Sequence, residues 1–128
     1  MKKLIAFLAA AFIAAPAFAA EFPDISIGEL KTAIAEKKVT VIDVNGSKSY
    51  EKGHIPTAID YTTASKDLAS KLPEDKNALI VAYCGGPSCN AYQKAAKAAK
   101  ELGYTNVKHL SAGISGWLQN QEKTEPAK

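Results

Sequence analysis

Short apolar runs and longer amphipathic stretches alternate along most of the chain. Residues 39–44 and Leu79–Tyr83 are brief, rich in apolar residues and bounded by turn formers, a pattern that predicts buried strands. Residues 58–61 and 107–110 predict two more. Helical spacing fills the intervals. Ser26 followed by Glu29 makes a capping-box pattern, and Leu30, Ala33 and Ile34 give the next helix an apolar stripe that Lys37 and Lys38 close. A single helical turn is expected at 49–52, stopped by Gly53, and a helix at 65–72, ended by Pro73. In a helix from Asn90 to Leu102, the inward residues would be Ala91, Ala95, Ala98, Ala99 and Leu102, with Lys94, Lys97 and Lys100 outward and Gly103 as the stop. Residues 114–119 predict a last short helix that Trp117 anchors in the core, and 121–128 a polar, frayed tail. Helices alternating with strands argue for one α/β domain with a mainly parallel sheet.

The chain is organised around the loop after Tyr83. Cys84, Gly85, Gly86, Pro87, Ser88 and Cys89 lie between a strand and the helix opened by Asn90. An open α/β sheet places ligands at the carboxyl ends of its strands, where Cys84 would stand. Gly85 and Gly86 let the backbone curl and turn its N–H groups inward, and the helix behind adds a partial positive charge that favours a thiolate or a bound anion. Such a loop is suited to a sulfur anion, with Cys84 as the nucleophile.

This loop, together with Val41–Ile42–Asp43–Val44, the stretch Gly53, His54, Ile55, Pro56, Thr57, Ala58, and the run from Gly113 to Trp117, resembles a single-domain rhodanese, a sulfurtransferase. The resemblance covers residues 24–120, about four fifths of the chain. It implies a rhodanese-like fold, with a central sheet of about five strands flanked by helices on both faces. It also implies a persulfide carried on Cys84, small sulfur-containing anions and a thiol acceptor as partners, and no cofactor or metal. In the family pattern the cysteine is followed by five residues, often with arginines at the second and sixth loop positions. Here those positions are Gly85 and Cys89, and the chain has no arginine. Lys48, Lys52 or Lys94 would substitute only partly, because lysine lacks the planar fork that grips an oxyanion. Polysulfide or a persulfide is therefore expected as donor ahead of thiosulfate. Phosphatases and arsenate reductases on related scaffolds need an arginine where Asn90 stands, which argues against phosphoryl transfer.

Cys89 opens a second chemistry. It can resolve a persulfide on Cys84, releasing hydrosulfide and leaving a disulfide, or it can be an inert residue at the helix start. A thiol–disulfide redox protein using Cys84 and Cys89, and a non-catalytic module that delivers sulfur or a soft metal, are the alternatives. Asp43 matches the acid of the family's strand-end signature, and a supporting role is expected for it through hydrogen bonds from nearby N–H groups. His54 is expected to tie loop to loop and His109 to be structural.

The first nineteen residues belong to a different pattern. Lys2 and Lys3 precede an apolar run at 4–15, and Ala17–Phe18–Ala19 fits a small-x-small cleavage site, as in a secretory signal peptide. The run falls short of the roughly 20 residues needed to span a bilayer. The expectation is a signal peptide at 1–19, a mature domain at 20–128, a periplasmic or secreted location, and no stable membrane insertion after processing. Lys and Arg number 16 against 13 acidic residues, a formal net charge of +3 that falls to +1 without Lys2 and Lys3. No basic block survives, which argues against nucleic acid as a partner.

Overall fold

The computed structural model describes residues 22–127, so the expected signal peptide lies outside the described residues. The element order is α1 (Ile27–Ala35), β1 (Val39–Asp43), α2 (Ser47–Lys52), β2 (Ile59–Asp60), α3 (Tyr61–Ala64), a 3-10 turn (Ser65–Asp67), α4 (Leu68–Lys71), β3 (Leu79–Tyr83), α5 (Tyr92–Glu101), β4 (Val107–His109) and α6 (Gly113–Gln119). The strands form one parallel sheet in the order β2-β1-β3-β4.

Strand alternation sorts the core into two layers. Ile80, Ala82 and Cys84 pack with Ile42 and residues of α3, α4 and α5. Val81 and Tyr83 pack on the other face with Val41, Leu30 of α1 and Trp117 of α6. Helices therefore cover both faces. Because both faces are covered, β1 and β3 have near-continuous apolar sequences rather than alternating ones.

Several local expectations need correction. The sheet has four strands among the described residues, not about five. Beside β4 the chain makes only a single parallel bridge, Asp24 to His109, with Ile25 N–H donating to His109 O at 2.9 Å and His109 N–H donating to Pro23 O at 2.9 Å. Pro23 has no N–H to extend the ladder, and the capping box of Ser26 and Glu29 turns the chain directly into α1. The strand expected at 58–61 shrinks to Ile59–Asp60, because the Asp60 carboxylate accepts from Thr62 N–H at 3.0 Å and starts α3. The helix expected at 65–72 is accordingly divided between the 3-10 turn and α4.

In α5, Tyr92, Ala95, Ala96 and Ala99 are buried, while Leu102 is exposed. The stripe is rotated because Tyr92 turns in to stack on His109, with ring centroids 4.2 Å apart. The tail is not frayed across 121–127. His54 and Glu125 exchange backbone hydrogen bonds at 2.9 and 2.8 Å, and the buried Trp117 indole donates to Lys123 O at 2.7 Å.

Candidate active site

The sheet order puts β1 and β3 side by side, with the chain leaving β1 for β2 on one side and returning to β3 on the other. Their carboxyl ends form the switch-point crevice where open α/β sheets bind ligands. Asp43 and Tyr83 are register partners there, and Val44 N–H donates to Tyr83 O at 2.9 Å. Cys84 is the next residue, 3% exposed.

The loop is clamped from the far side. Ile114 N–H donates to Cys84 O and Ser115 N–H to Gly85 O, both at 2.9 Å, so the first turn of α6 holds the start of the loop. Gly113 makes this approach possible. It has a φ of +64°, and a β-carbon there would lie 2.5 Å from the Gly85 carbonyl carbon. At the other end, Cys89 N–H donates to Gly86 O at 3.0 Å, closing a turn over Pro87 and Ser88. That N–H is engaged, whereas those of Gly85, Gly86 and Ser88 have no acceptor among the described residues.

Cys84 and Cys89 are joined by a disulfide, with Cα atoms 6.3 Å apart. The two sulfurs are not equivalent. Cys84 is buried at the strand end, while Cys89 is only half-buried and is flanked by exposed Ser88 and Asn90. Cys89 N–H is spent on the turn to Gly86 O, and α5 starts at Tyr92 rather than Asn90, with Gln93 N–H and Lys94 N–H donating to Asn90 O and Ala91 O.

No hydrogen bond joins the Asp43 or His54 side chain to the Cys84 loop among the described residues. Period-2 alternation turns Asp43 and Tyr83 toward the α1 and α6 face, opposite the face where Cys84 packs. Asp43 is 1% exposed and accepts from Asn45 N–H at 2.8 Å and from the Tyr83 hydroxyl at 2.5 Å. Burial pushes its carboxyl above the usual range; those two hydrogen bonds and His54 oppose the shift, and the charge of Asp60 adds to it. Burial, and then the charge of Asp43, push the Tyr83 hydroxyl far up, so it remains a donor. The same hydroxyl accepts from Ile55 N–H at 3.0 Å. The His54 ring lies beneath, with Nδ1 at 2.8 Å from Tyr50 O and its plane stacked on the Tyr50 ring. These groups hold the 53–55 turn to the ends of β1 and β3.

Sequence reasoning missed Tyr83 as a polar anchor, because its position in an apolar strand reads as core. Asn45 was missed too. Its amide Nδ2 is buried with no partner among the described residues, and its Oδ1 would lie 4.0 Å from a β-carbon on Gly85. Its position one residue past the predicted strand end was the available signal. Among the described residues no group of three or more His, Cys, Asp or Glu is placed to hold a metal ion.

Comparison with known proteins bears on this geometry. The rhodanese-like domain family matches residues 26–120. The thiosulfate sulfurtransferase GlpE of Shewanella oneidensis is 28% identical over 99 residues, covering 75% of this chain and 92% of that protein. The HTH-type transcriptional regulator Rv0324 of Mycobacterium tuberculosis is 39% identical over 83 residues. That match covers 62% of this chain and 34% of the regulator, so the chain spans about a third of the regulator's length. The crystal structure of the BH2092 protein from Bacillus halodurans superposes with a TM-score of 0.65 at 30% identity, covering 81% of this chain and 77% of that one. The family match runs from the N-cap of α1 to the C-cap of α6 and encloses the strand ends and the Cys84 loop. The chain belongs to the rhodanese-like family.

Proposed function

We propose that this protein is an exported sulfurtransferase that carries sulfane sulfur as a persulfide on Cys84. The donor is a polysulfide or small persulfide in preference to thiosulfate, and the acceptor is a thiol or cyanide. The observation that carries this reading is the position of Cys84 at the switch-point end of β3. It begins a loop with three uncommitted backbone N–H groups and no cationic side chain.

The disulfide is first opened by a thiol reductant. The Cys84 thiolate then attacks the terminal sulfur of the donor, the donor's sulfur–sulfur bond breaks, and the shortened donor leaves with the electron pair. An acceptor thiolate attacks the outer sulfur of the persulfide and returns Cys84 as thiolate. The N–H groups of Gly85, Gly86 and Ser88 stabilise the anion at both stages. The Asn45 side chain stands beside Gly85 through its Oδ1, and its buried Nδ2 has no partner among the described residues.

Cys84→Ser is expected to abolish transfer from any donor to cyanide or a thiol. Substantial remaining activity in that variant would sink the assignment. Export rests on the pattern of the first nineteen residues and predicts a mature N-terminus at Ala20 or Glu21. Terminal sequencing of protein recovered from the cell envelope tests it, and an intact Met1 there overturns it.

The disulfide between Cys84 and Cys89 favours one second reading, a thiol–disulfide redox protein. Mass spectrometry of native protein separates the two. An extra sulfur per chain speaks for the carrier, and a chain recovered only as disulfide or dithiol speaks for redox exchange.

A further inference from the structure

We propose that the Cys84–Cys89 disulfide is itself a substrate-accepting form of the protein, which captures hydrosulfide and oxidises it to protein-bound sulfane sulfur. The proposal rests on Cys84 as the sulfur carrier and names a further sulfur source for the same site. Its net reaction is the reverse of the one in which Cys89 discharges a Cys84 persulfide, but hydrosulfide enters at Cys89 and the sulfane sulfur then passes to Cys84.

Three observations carry it. The oxidant is present in the fold, since the two cysteines of the loop are bonded to each other. The bond is asymmetric, because Cys84 is 3% exposed and clamped through its carbonyl by Ile114 N–H, whereas Cys89 is half-buried between exposed neighbours. Access is one of the factors that decide which sulfur of a disulfide is attacked, and here it selects Cys89. The third observation concerns charge. With Gly85 and Cys89 at the loop positions where a cation would grip a doubly charged oxyanion, the loop offers no guanidinium fork for thiosulfate. Hydrosulfide is small and singly charged, and it needs no such fork.

The chemistry balances without an added oxidant. The hydrosulfide sulfur attacks Cys89 Sγ, a new sulfur–sulfur bond forms, and the bond between Cys89 and Cys84 breaks with its electron pair on Cys84. The products are a persulfide on Cys89 and a thiolate on Cys84, the latter among the free N–H groups of the loop. The hydrosulfide sulfur has been oxidised to sulfane sulfur and the disulfide reduced by the same two electrons. The Cys84 thiolate then attacks the outer sulfur of the Cys89 persulfide. This moves the sulfane sulfur to Cys84 and leaves Cys89 as thiolate, with no net redox change. The loop folds the two side chains within bonding distance, so the handover requires no rearrangement of the sheet.

The test uses full-length wild-type protein in two forms, air-oxidised and pre-reduced, each freed of small molecules under anaerobic conditions. One equivalent of sodium sulfide is added to each, and intact mass and cyanide-extractable sulfur are measured. The oxidised protein is expected to gain the mass of one hydrogen sulfide per chain and to yield cyanide-extractable sulfur. The reduced protein should gain at most a small fraction of that. Equal uptake by both forms would overturn the proposal, because the sulfur would then have come from polysulfide contamination. Conversion of the oxidised form to plain dithiol, or recovery of the disulfide unchanged, would overturn it as well. A parallel sample of reduced protein given polysulfide tests the carrier reading separately. If that sample loads and transfers sulfur while the oxidised sample takes none from sulfide, the disulfide proposal alone has failed. Peptide mapping at short times after sulfide addition is expected to find the new sulfur on Cys89 before Cys84.

Discussion

Gly113 faces the Gly85 carbonyl so closely that a β-carbon on Gly113 would stand 2.6 Å from the Gly85 oxygen and 2.6 Å from Gly86 N. The first turn of α6 and the start of the Cys84 loop are thus in backbone contact, and only glycine fits between them.

Gly113→Ala should for this reason damage both stability and sulfur transfer. The left-handed φ alone costs an L-residue roughly 1–2 kcal/mol, and the contact forces the loop backbone to shift in addition. Gly28→Ala is the matched control. Gly28 lies in α1 with nothing within 4 Å of its β-carbon position, so that change should stabilise by roughly 0.5–1 kcal/mol and leave transfer intact. Chemical denaturation and a sulfur-transfer assay on both variants check the contrast, and equal behaviour of the two would refute it.

The buried Asp43–Tyr83 pair makes a prediction about pH. Burial raises the folded-state pKa of Asp43 above its unfolded value of 3.8. Just above 3.8 the unfolded chain has already released the proton that the folded protein still holds. The contribution of Asp43 therefore favours folding most at low pH and declines as pH rises through the folded pKa. Asp43→Asn removes that titration. The stability of the wild type relative to this variant should fall as pH is raised through the acid range. A difference that grows with pH would show that ionised Asp43 is favoured instead. Tyr83→Phe removes the donor to Asp43 and the acceptor for Ile55 N–H together, and should cost roughly 1–3 kcal/mol.

Gly85→Arg tests what the missing cations mean for donor choice. The nearest atom to a β-carbon at Gly85 is Asn45 Oδ1 at 4.0 Å, and Gly85 carries no positive φ, so a side chain is sterically admissible. A charge-assisted hydrogen bond to an oxyanion contributes roughly 1.5–3 kcal/mol. At about tenfold per 1.36 kcal/mol, kcat/KM for thiosulfate should rise by about one to two orders of magnitude in reduced protein. The gain for polysulfide should be smaller. Efficient thiosulfate use by the wild type, with no change in the variant, would discard the electrostatic argument. Lys48 and Lys52 would then be the cations to substitute.

Much of the architecture was legible in the chain because it depends on local patterns. The apolar runs at β1 and β3, the capping box of Ser26 and Glu29, and Gly103 after α5 each act within a few residues. The position of Cys84 at a strand end came from the same local patterns. Where one element's local chemistry competed with another's, the reading failed. Asp60 ended β2 early by capping α3, and Pro23 with Ser26 limited the sheet to a bridge beside β4.

Composition and short-range order were enough to establish the α/β class, the strand–loop–helix around Cys84 and the lack of any arginine to hold an oxyanion. Which groups meet across many residues depended on tertiary packing. Packing paired Tyr83 with Asp43 beneath the sheet end, tied Glu125 to His54, and drew Tyr92 inward onto His109. It also joined Cys84 to Cys89 and left Cys89 the more accessible sulfur. Spacing of five residues permits that bond but does not impose it. The hydrogen bond from Cys89 N–H to Gly86 O turns the loop back locally. The clamp of α6 and the packing of Cys84 at the end of β3 fix the start of the loop through contacts from distant parts of the chain.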